Sequence, residues 1–326
     1  MTALLLWETT KTMPISQHPN GSFGSREKRK TRQKQNKSND PTYPRVGCKN
    51  LQAMIEINNI SFGYSRRRPA IFRNLSLSID HGGIYGLLGG NGSGKSTLIY
   101  LICGLLPTDE GSILIDGQRV DRRIPPLLRE MYLVPEKMDL PDVSFKQLLA
   151  LHHDYYPLFS DDDLKDCLQR FNVSPANTFT GLSMGERKKL LLSFALAANT
   201  RYIFMDEPVN GLDLLSKEVF RQAVADHVRG ERVALIATHQ IHDVEQMLTN
   251  VLLLSNRQVV VNTTTADILS QYSFTVRSEA HDADVVYAQP APDGYFVMTR
   301  RKEGSTSSSV NLELYFNALT QQHKQP

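Results

Sequence analysis

From residue 55 onward the apolar side chains fall into short runs whose period changes along the chain. Ile55, Ile57 and Ile60, then Leu75, Leu77 and Ile79, recur between polar neighbours and stop at Gly, Asn or Asp, which is the pattern of strands in an antiparallel layer. Residues 84–88 form a brief continuous apolar run that reads as a buried strand. A glycine-rich turn follows, and the apolar stretch 96–106 predicts a helix stopped by Pro107. Residues 111–115, ahead of the turn pair Asp116-Gly117, return to strand. The spacing from about 143 to 198 is mostly helical. Beyond it strands at 202–205 and 233–237 alternate with helices at 215–229 and 241–248, and such alternation specifies a parallel sheet covered by helices. Three weaker strands follow, at 274–277, 285–287 and 295–298, and then an amphipathic helix at about 312–319 with Leu312, Tyr315, Phe316 and Leu319 on one face.

The expected class is therefore α/β: a parallel sheet with an antiparallel β layer and a helical subdomain, plus a small C-terminal α+β appendage. The corresponding divisions are a tail at 1–53, a main unit at 54–262 with its helical subdomain at about 137–200, and the appendage at 263–326. Composition sharpens the first division. With 40% hydrophobic and 22% charged residues among 326, the chain is neither fibrous nor wholly disordered. Residues 1–53, however, carry ten Lys/Arg against three Asp/Glu, leaving 27 against 31 in the remainder. The cluster Arg26, Lys28, Arg29, Lys30, Arg32, Lys34 and Lys37 sits in a polar stretch that cannot bury enough surface to offset its ordering entropy. A basic arm for nucleic acid or anionic lipid and a solvated tail both fit. The absence of aromatics among the charges favours the tail, with Met54 opening the folded part.

No apolar run approaches the roughly 20 residues that span a bilayer, and 3–7 lacks the flanks of an export signal. Cys48, Cys103 and Cys167 lie far apart without metal-like spacing, which points to a reducing compartment and hence a cytoplasmic address.

Two motifs carry candidate chemistry. Gly89-Gly90-Asn91-Gly92-Ser93-Gly94-Lys95-Ser96-Thr97 fits the phosphate-binding P-loop pattern between a strand and a helix. Its glycines let backbone N–H groups turn toward phosphates, the helix start adds a positive dipole end, Lys95 reaches the β/γ oxygens, and the Ser96 hydroxyl suits Mg²⁺. The second motif is the apolar strand 202–205 ending in Asp206-Glu207. By themselves two such acids are more often a helix cap. Downstream of a P-loop, Asp206 suits the Mg²⁺ shell, and Glu207 suits orienting or deprotonating the attacking water.

Between them, Leu182-Ser183-Met184-Gly185-Glu186-Arg187 is a capping box when read alone. Taken in order with the other two motifs it resembles the signature sequence of ABC ATPases. The resemblance extends to Asn210-Gly211-Leu212-Asp213 as the D-loop, Thr238-His239 as the switch histidine and Tyr64 as the aromatic that stacks on adenine. It covers about two thirds of the chain. It implies a head-to-tail dimer of cassettes, identical or different, enclosing two ATPs with Mg²⁺. Lys95, Ser96, Asp206, Glu207 and His239 would act from one subunit, and Ser183 and Gly185 would meet the γ-phosphate from the other.

Two positions depart from the family pattern. Glu136, in Val134-Pro135-Glu136-Lys137, stands where the family usually has a glutamine, so a charged side chain replaces a neutral Mg²⁺ or water ligand. Met184 replaces a small signature residue, while Ser183 and Gly185 are intact. The C-terminal extension resembles that of cassettes paired with exporter-type membrane subunits, and a packing appendage fits it equally.

The leading expectation is an ATP-hydrolysing subunit that energises export through separate transmembrane permease subunits, peripheral on the inner face of the cell membrane, with no nucleic-acid partner. Its rival is a soluble ABC ATPase acting on nucleic acid or ribosomes, or a regulatory one. The single cassette, the lack of heptads and the acidic main unit disfavour that rival. The cluster Leu148, Leu151, Tyr155, Tyr156, Leu158 and Phe159 fits local core or a partner groove. Its place just after Glu136 favours the groove.

Overall fold

The computed structural model describes residues 55–65, 67, 69–137, 144–174, 181–255, 257–280, 282–302 and 309–322; the basic tail, Cys48 and Met54 lie outside them. Strands β1 (Ile55–Phe62), β2 (Phe72–Ile79), β4 (Glu110–Ile115) and β5 (Gln118–Arg119) form an antiparallel layer in the order β2-β1-β4-β5. The central sheet holds β3 (Gly83–Leu88), β6 (Met131–Val134), β7 (Tyr202–Asp206), β8 (Val233–Thr238) and β9 (Asn250–Ser255), all parallel. β10 (Gln258–Thr264) adds antiparallel to β9, giving the order β10-β9-β3-β8-β7-β6.

The two-residue period of these strands sorts their side chains into two cores. Tyr202 and Phe204 of β7, with Val233, Leu235 and Ala237 of β8, face helix α1 (Lys95–Ile102) and the antiparallel layer. Ile203, Met205, Ala234 and Ile236 face the opposite core, which contains residues of α3 (Phe145–Tyr155), α4 (Asp161–Arg170), α5 (Met184–Ala197) and α6 (Leu214–His227). Burying each large apolar side chain contributes about 1.5–3 kcal/mol. The sheet is thus gripped from both sides, and its strand ends are firm points from which loops project. A short helix, α2 (Pro125–Arg129), precedes β6.

After β10 come α7 (Thr265–Gln271) and a three-stranded sheet of β11 (Tyr272–Arg277), β12 (Val285–Ala291) and β13 (Gly294–Arg300), in the order β11-β13-β12, closed by α8 (Leu312–Gln322). Phe274, Met298, Leu312, Leu314 and Ala318 join the second core, so the C-terminal sheet and helix continue the packing of the main unit. Among the described residues no helix is long and apolar enough to cross a membrane.

Several expectations change. Helix α1 ends at Ile102, four residues early, because Gly104 takes φ 64° and a Schellman closure forms, with Gly104 N–H donating to Leu101 O and Leu105 N–H to Tyr100 O. Residues 241–248 make two 3₁₀ turns, Ile241–Asp243 and Glu245–Met247, interrupted at Val244 with φ −124°. Glu245 is drawn instead into accepting the Leu312 N–H at 3.1 Å. β9, whose Val251–Leu254 is a continuous apolar run like that at 84–88, adds a parallel strand beside β3 that the alternation of strands and helices had not included. On α8 the fully buried residues are Leu312, Leu314 and Ala318, with Tyr315, Phe316 and Leu319 only partly covered.

The largest correction concerns the aromatic cluster. Leu148 and Tyr156 are buried, and Tyr155 and Phe159 pack against the second core; only Leu158 is largely exposed, at 65%. The rings surround His152, whose centroid lies 4.4 Å from Phe194, 5.7 Å from Phe159 and 5.6 Å from Tyr156. This is local core, filled because α5 brings Phe194 under α3.

Candidate nucleotide site

Four parallel strands end side by side, and each delivers a functional loop at its C-terminal end, where ligands sit in such sheets. β3 leads into the glycine loop and α1. The N-cap of α1 is Gly94, with φ 103°, no side-chain cap and no acidic residue in the first turn, so the first-turn N–H groups are left for an anion. A side chain at Gly94 would also meet Phe72 Cζ at 2.7 Å. Lys95, buried, donates to Gly89 O at 2.8 Å and Gly90 O at 3.2 Å. Its ammonium lies across the loop that phosphate oxygens would enter. Burial pulls the Lys95 pKa down, opposed by Glu207, Asp206 and Glu136.

At the end of β7, Asp206 Oδ1 accepts from Ser96 Oγ at 3.0 Å. Oδ2 is buried without a hydrogen bond of normal geometry, although the Tyr100 hydroxyl stands close enough to interact with the carboxylate. Burial raises the Asp206 pKa, the Ser96 bond opposes that, and Glu136 and Glu207 reinforce it. The next residue, Glu207, has φ 45°, a left-handed backbone of the kind that surroundings must impose on a non-glycine residue. Its Oε2 accepts from Thr238 Oγ1 at 2.9 Å. Its Oε1 accepts from the His239 N–H at 3.0 Å and meets His239 Nδ1 at 2.7 Å. β8 thereby anchors the carboxylate, and Gln240, two residues beyond Thr238, donates to Asn210 Oδ1 at 2.9 Å. At the end of β6, Glu136 is exposed, yet close enough that its charge acts on Lys95, Asp206 and Lys188.

Tyr64, 60% exposed, joins this set through its hydroxyl, 3.1 Å from Thr97 Oγ1, and stands edge-on to Phe62. The remaining sequence-derived residues form a second set. Ser183 caps α5 by accepting the Glu186 N–H, and its own N–H and hydroxyl donate to Glu186 Oε2. Gly185 lies against Gly211, since a Cβ there would be 3.0 Å from Gly211 O. Asp213 caps α6 and accepts from Lys189 Nζ at 2.9 Å. That lysine, before the Ser216 N–H and hydroxyl, holds the Asp213 carboxyl well below its usual range.

The motifs pass over Lys188, and they include Thr238 only as the neighbour of His239, with no role of its own. Lys188 has a readable signal: Leu191, Leu192 and Ala195 follow at i+3, i+4 and i+7, so a cation occupies the core face of α5. The bond from Thr238 to Glu207 has none, because the two lie 31 residues apart in sequence.

A phosphate loop, two carboxylates at the neighbouring strand ends and a doubly covered parallel sheet define a P-loop nucleotide-binding protein. The particular branch comes from comparison. Residues 72–210 match the family described as ABC transporter. The ABC transporter ATP-binding protein YtrB of Bacillus subtilis (strain 168) is 29% identical over 234 residues, covering 71% of this chain and 78% of YtrB. The lipopolysaccharide export system ATP-binding protein LptB of Escherichia coli (strain K12) is 26% identical over 228 residues, 67% of this chain and 93% of LptB. A solved ATP-binding subunit of an ABC transporter matches with TM-score 0.59 and 25% identity over 66% of this chain and 91% of its own. A bacterial Atm1-family ABC exporter with ATP bound shares the fold, with TM-score 0.58 at 21% identity over 67% of this chain and 40% of the exporter. Residues 72–210 thus lie in an ABC ATPase cassette, which binds and hydrolyses ATP, and over about two thirds of its length the chain is similar to ATP-binding subunits of ABC transporters.

Proposed function

We propose that this cassette drives export through separate membrane-spanning subunits, and that two cassettes close head to tail on ATP and Mg²⁺ at the inner face of a membrane. The convergence of Lys95, Ser96, Asp206 and Glu207 on one sheet edge carries the catalytic part of this reading. The name of LptB, an export-system protein, supports the direction. In this assignment the Gly89–Thr97 loop holds the phosphates, Tyr64 stacks on the base, and Ser183, Gly185 and Asp213 complete the site of the opposite cassette.

Mg²⁺ fits the residues present. Ser96 Oγ and the Asp206 carboxylate, whose Oδ2 makes no hydrogen bond of normal geometry, offer hard oxygen ligands, and Glu136 adds negative charge nearby. Among the described residues no three His, Cys, Asp or Glu side chains converge into a metal cage. Mg²⁺ needs none, since it keeps waters and binds through one or two protein oxygens plus phosphate. Bound there, it neutralises charge on the β/γ oxygens. Glu207 orients the attacking water and takes its proton. Three contacts occupy the carboxylate, one at Oε2 and two at Oε1, which leaves acceptor capacity for that water, and the His239 side chain, 40% exposed, is the freest of the partners.

Glu207→Gln keeps the shape and removes the base, so turnover should fall by about 10²–10⁴-fold with ATP binding intact. Lys95→Ala should instead weaken ATP binding, by about 1.5–3 kcal/mol. Wild-type turnover in Glu207→Gln overturns the assignment of the base. Recovery of the wild-type protein with ribosomes or DNA, and without a membrane protein from detergent-solubilised membranes, overturns the transport reading.

A further inference from the structure

Lys188 is 2% exposed, yet it lies on the helix headed by Ser183. Its ammonium donates to three backbone carbonyls, Pro135 O, Glu136 O and Glu207 O, each at 3.3 Å, so all three donors are spent. These carbonyls lie where two neighbouring strands stop pairing. β6 and β7 run in register up to Val134 opposite Met205, and two residues further along Glu136 and Glu207 both turn their carbonyls to the lysine. Lys188 therefore takes over from the β ladder at the point where the chain leaves the sheet to form the site. The same region asks for a fixed backbone, since Glu207 adopts φ 45° and its N–H is held by Ala237 O at 2.8 Å. Lys188 holds the other end of that residue. Asp206, Glu136 and Glu207 all act on its charge, so it also serves, with Lys95, as the buried counter-charge to three carboxylates.

We propose that Lys188 is a positioning residue for ATP hydrolysis: it ties the helix that begins at Ser183 to the backbone of Glu136 and Glu207, and so sets where the catalytic carboxylate stands. The inference rests on the assignment of Glu207 as the base. It gives a mechanical link within one cassette, because a shift of α5 when Ser183 engages nucleotide on the opposite subunit is passed to Glu207 through the three hydrogen bonds of the ammonium.

The test uses the full chain. Lys188→Met keeps the length and apolar stem and removes all three donors; Lys188→Gln keeps two donors without the charge. For Lys188→Met we expect kcat to fall about tenfold or more while ATP binds at wild-type stoichiometry and with affinity within about twofold, with Lys188→Gln falling between. Hydrogen–deuterium exchange of the segments containing Glu136 and Glu207 should accelerate in both variants, with exchange across β3 and α1 unchanged. A purely structural role predicts the opposite signature, activity and binding stoichiometry falling in proportion and exchange rising throughout. That result, or wild-type kcat and exchange in Lys188→Met, overturns the proposal. If Lys188→Met does not fold, Lys188→Gln decides by the same two readouts. A failure of the Glu207 assignment is told apart because Glu207→Gln would then retain turnover while the exchange measurement still reports whether Lys188 holds the two backbones.

Discussion

At the nucleotide edge, Lys95, Lys188, Asp206 and Glu207 are buried together; between α3 and β6, His152 is buried just as deeply among Tyr132, Tyr156, Phe159 and Phe194. The two regions solve the cost of burying a titratable group in opposite ways. At the edge, burial pulls the Lys95 pKa down and pushes the Asp206 pKa up, the carboxylates around Lys95 oppose its neutralisation, and Asp206 Oδ2 keeps bonding capacity to spare. Around His152 the group stays neutral and fully bonded. Nδ1–H donates to Leu148 O at 2.8 Å, because a carbonyl only accepts, and Nε2 is left to accept from the Tyr132 hydroxyl at 2.8 Å. Burial lowers the His152 pKa to about 4. A buried cluster with unspent charge and bonds is prepared for a ligand, whereas one with every bond closed is structure.

The sharpest way to break this contrast is to cut into the aromatic layer. Tyr156→Ala should cost about 3–5 kcal/mol of stability by the cavity it leaves, whereas Leu158→Ser should stay within about 0.5 kcal/mol; urea unfolding of the two variants checks it. Comparable effects would mean that the cluster is not core. Acid titration comes next. The native ring binds its proton less tightly than the unfolded ring, whose pKa is near 6.5, so between about pH 6.5 and 4 the unfolded state carries the extra proton. Stability should therefore fall as pH drops through that window, by up to about 3 kcal/mol, and His152→Gln should flatten that part of the profile. The smallest effect is expected at the exposed rim of the edge. Glu136→Gln removes one screened charge from the proposed metal surroundings, so the Mg²⁺ dependence of turnover should move by about 0.2–1 kcal/mol with ATP affinity unchanged. An unmoved metal titration would take Glu136 out of the site.

Residues 89–97 were readable as a phosphate loop because the motif is contiguous and its spacing is local; 206–207 took on a role only downstream of that loop, and 210–213 only through the resemblance to the family. The uninterrupted apolar runs at 202–205 and 233–237, alternating with helical segments, likewise determined that those strands would be covered on both faces. Helical period puts Lys188 on the core face of α5, but a period carries no information about what lies opposite. Phe194 closing over His152, three carbonyls gathering on Lys188, Thr238 holding Glu207 and Glu245 meeting the Leu312 N–H join residues 19 to 67 positions apart, within one hydrogen-bond length or one ring contact. Only tertiary packing decides such contacts, because their energy falls off over distances far shorter than the uncertainty with which a sequence pattern places one element against another.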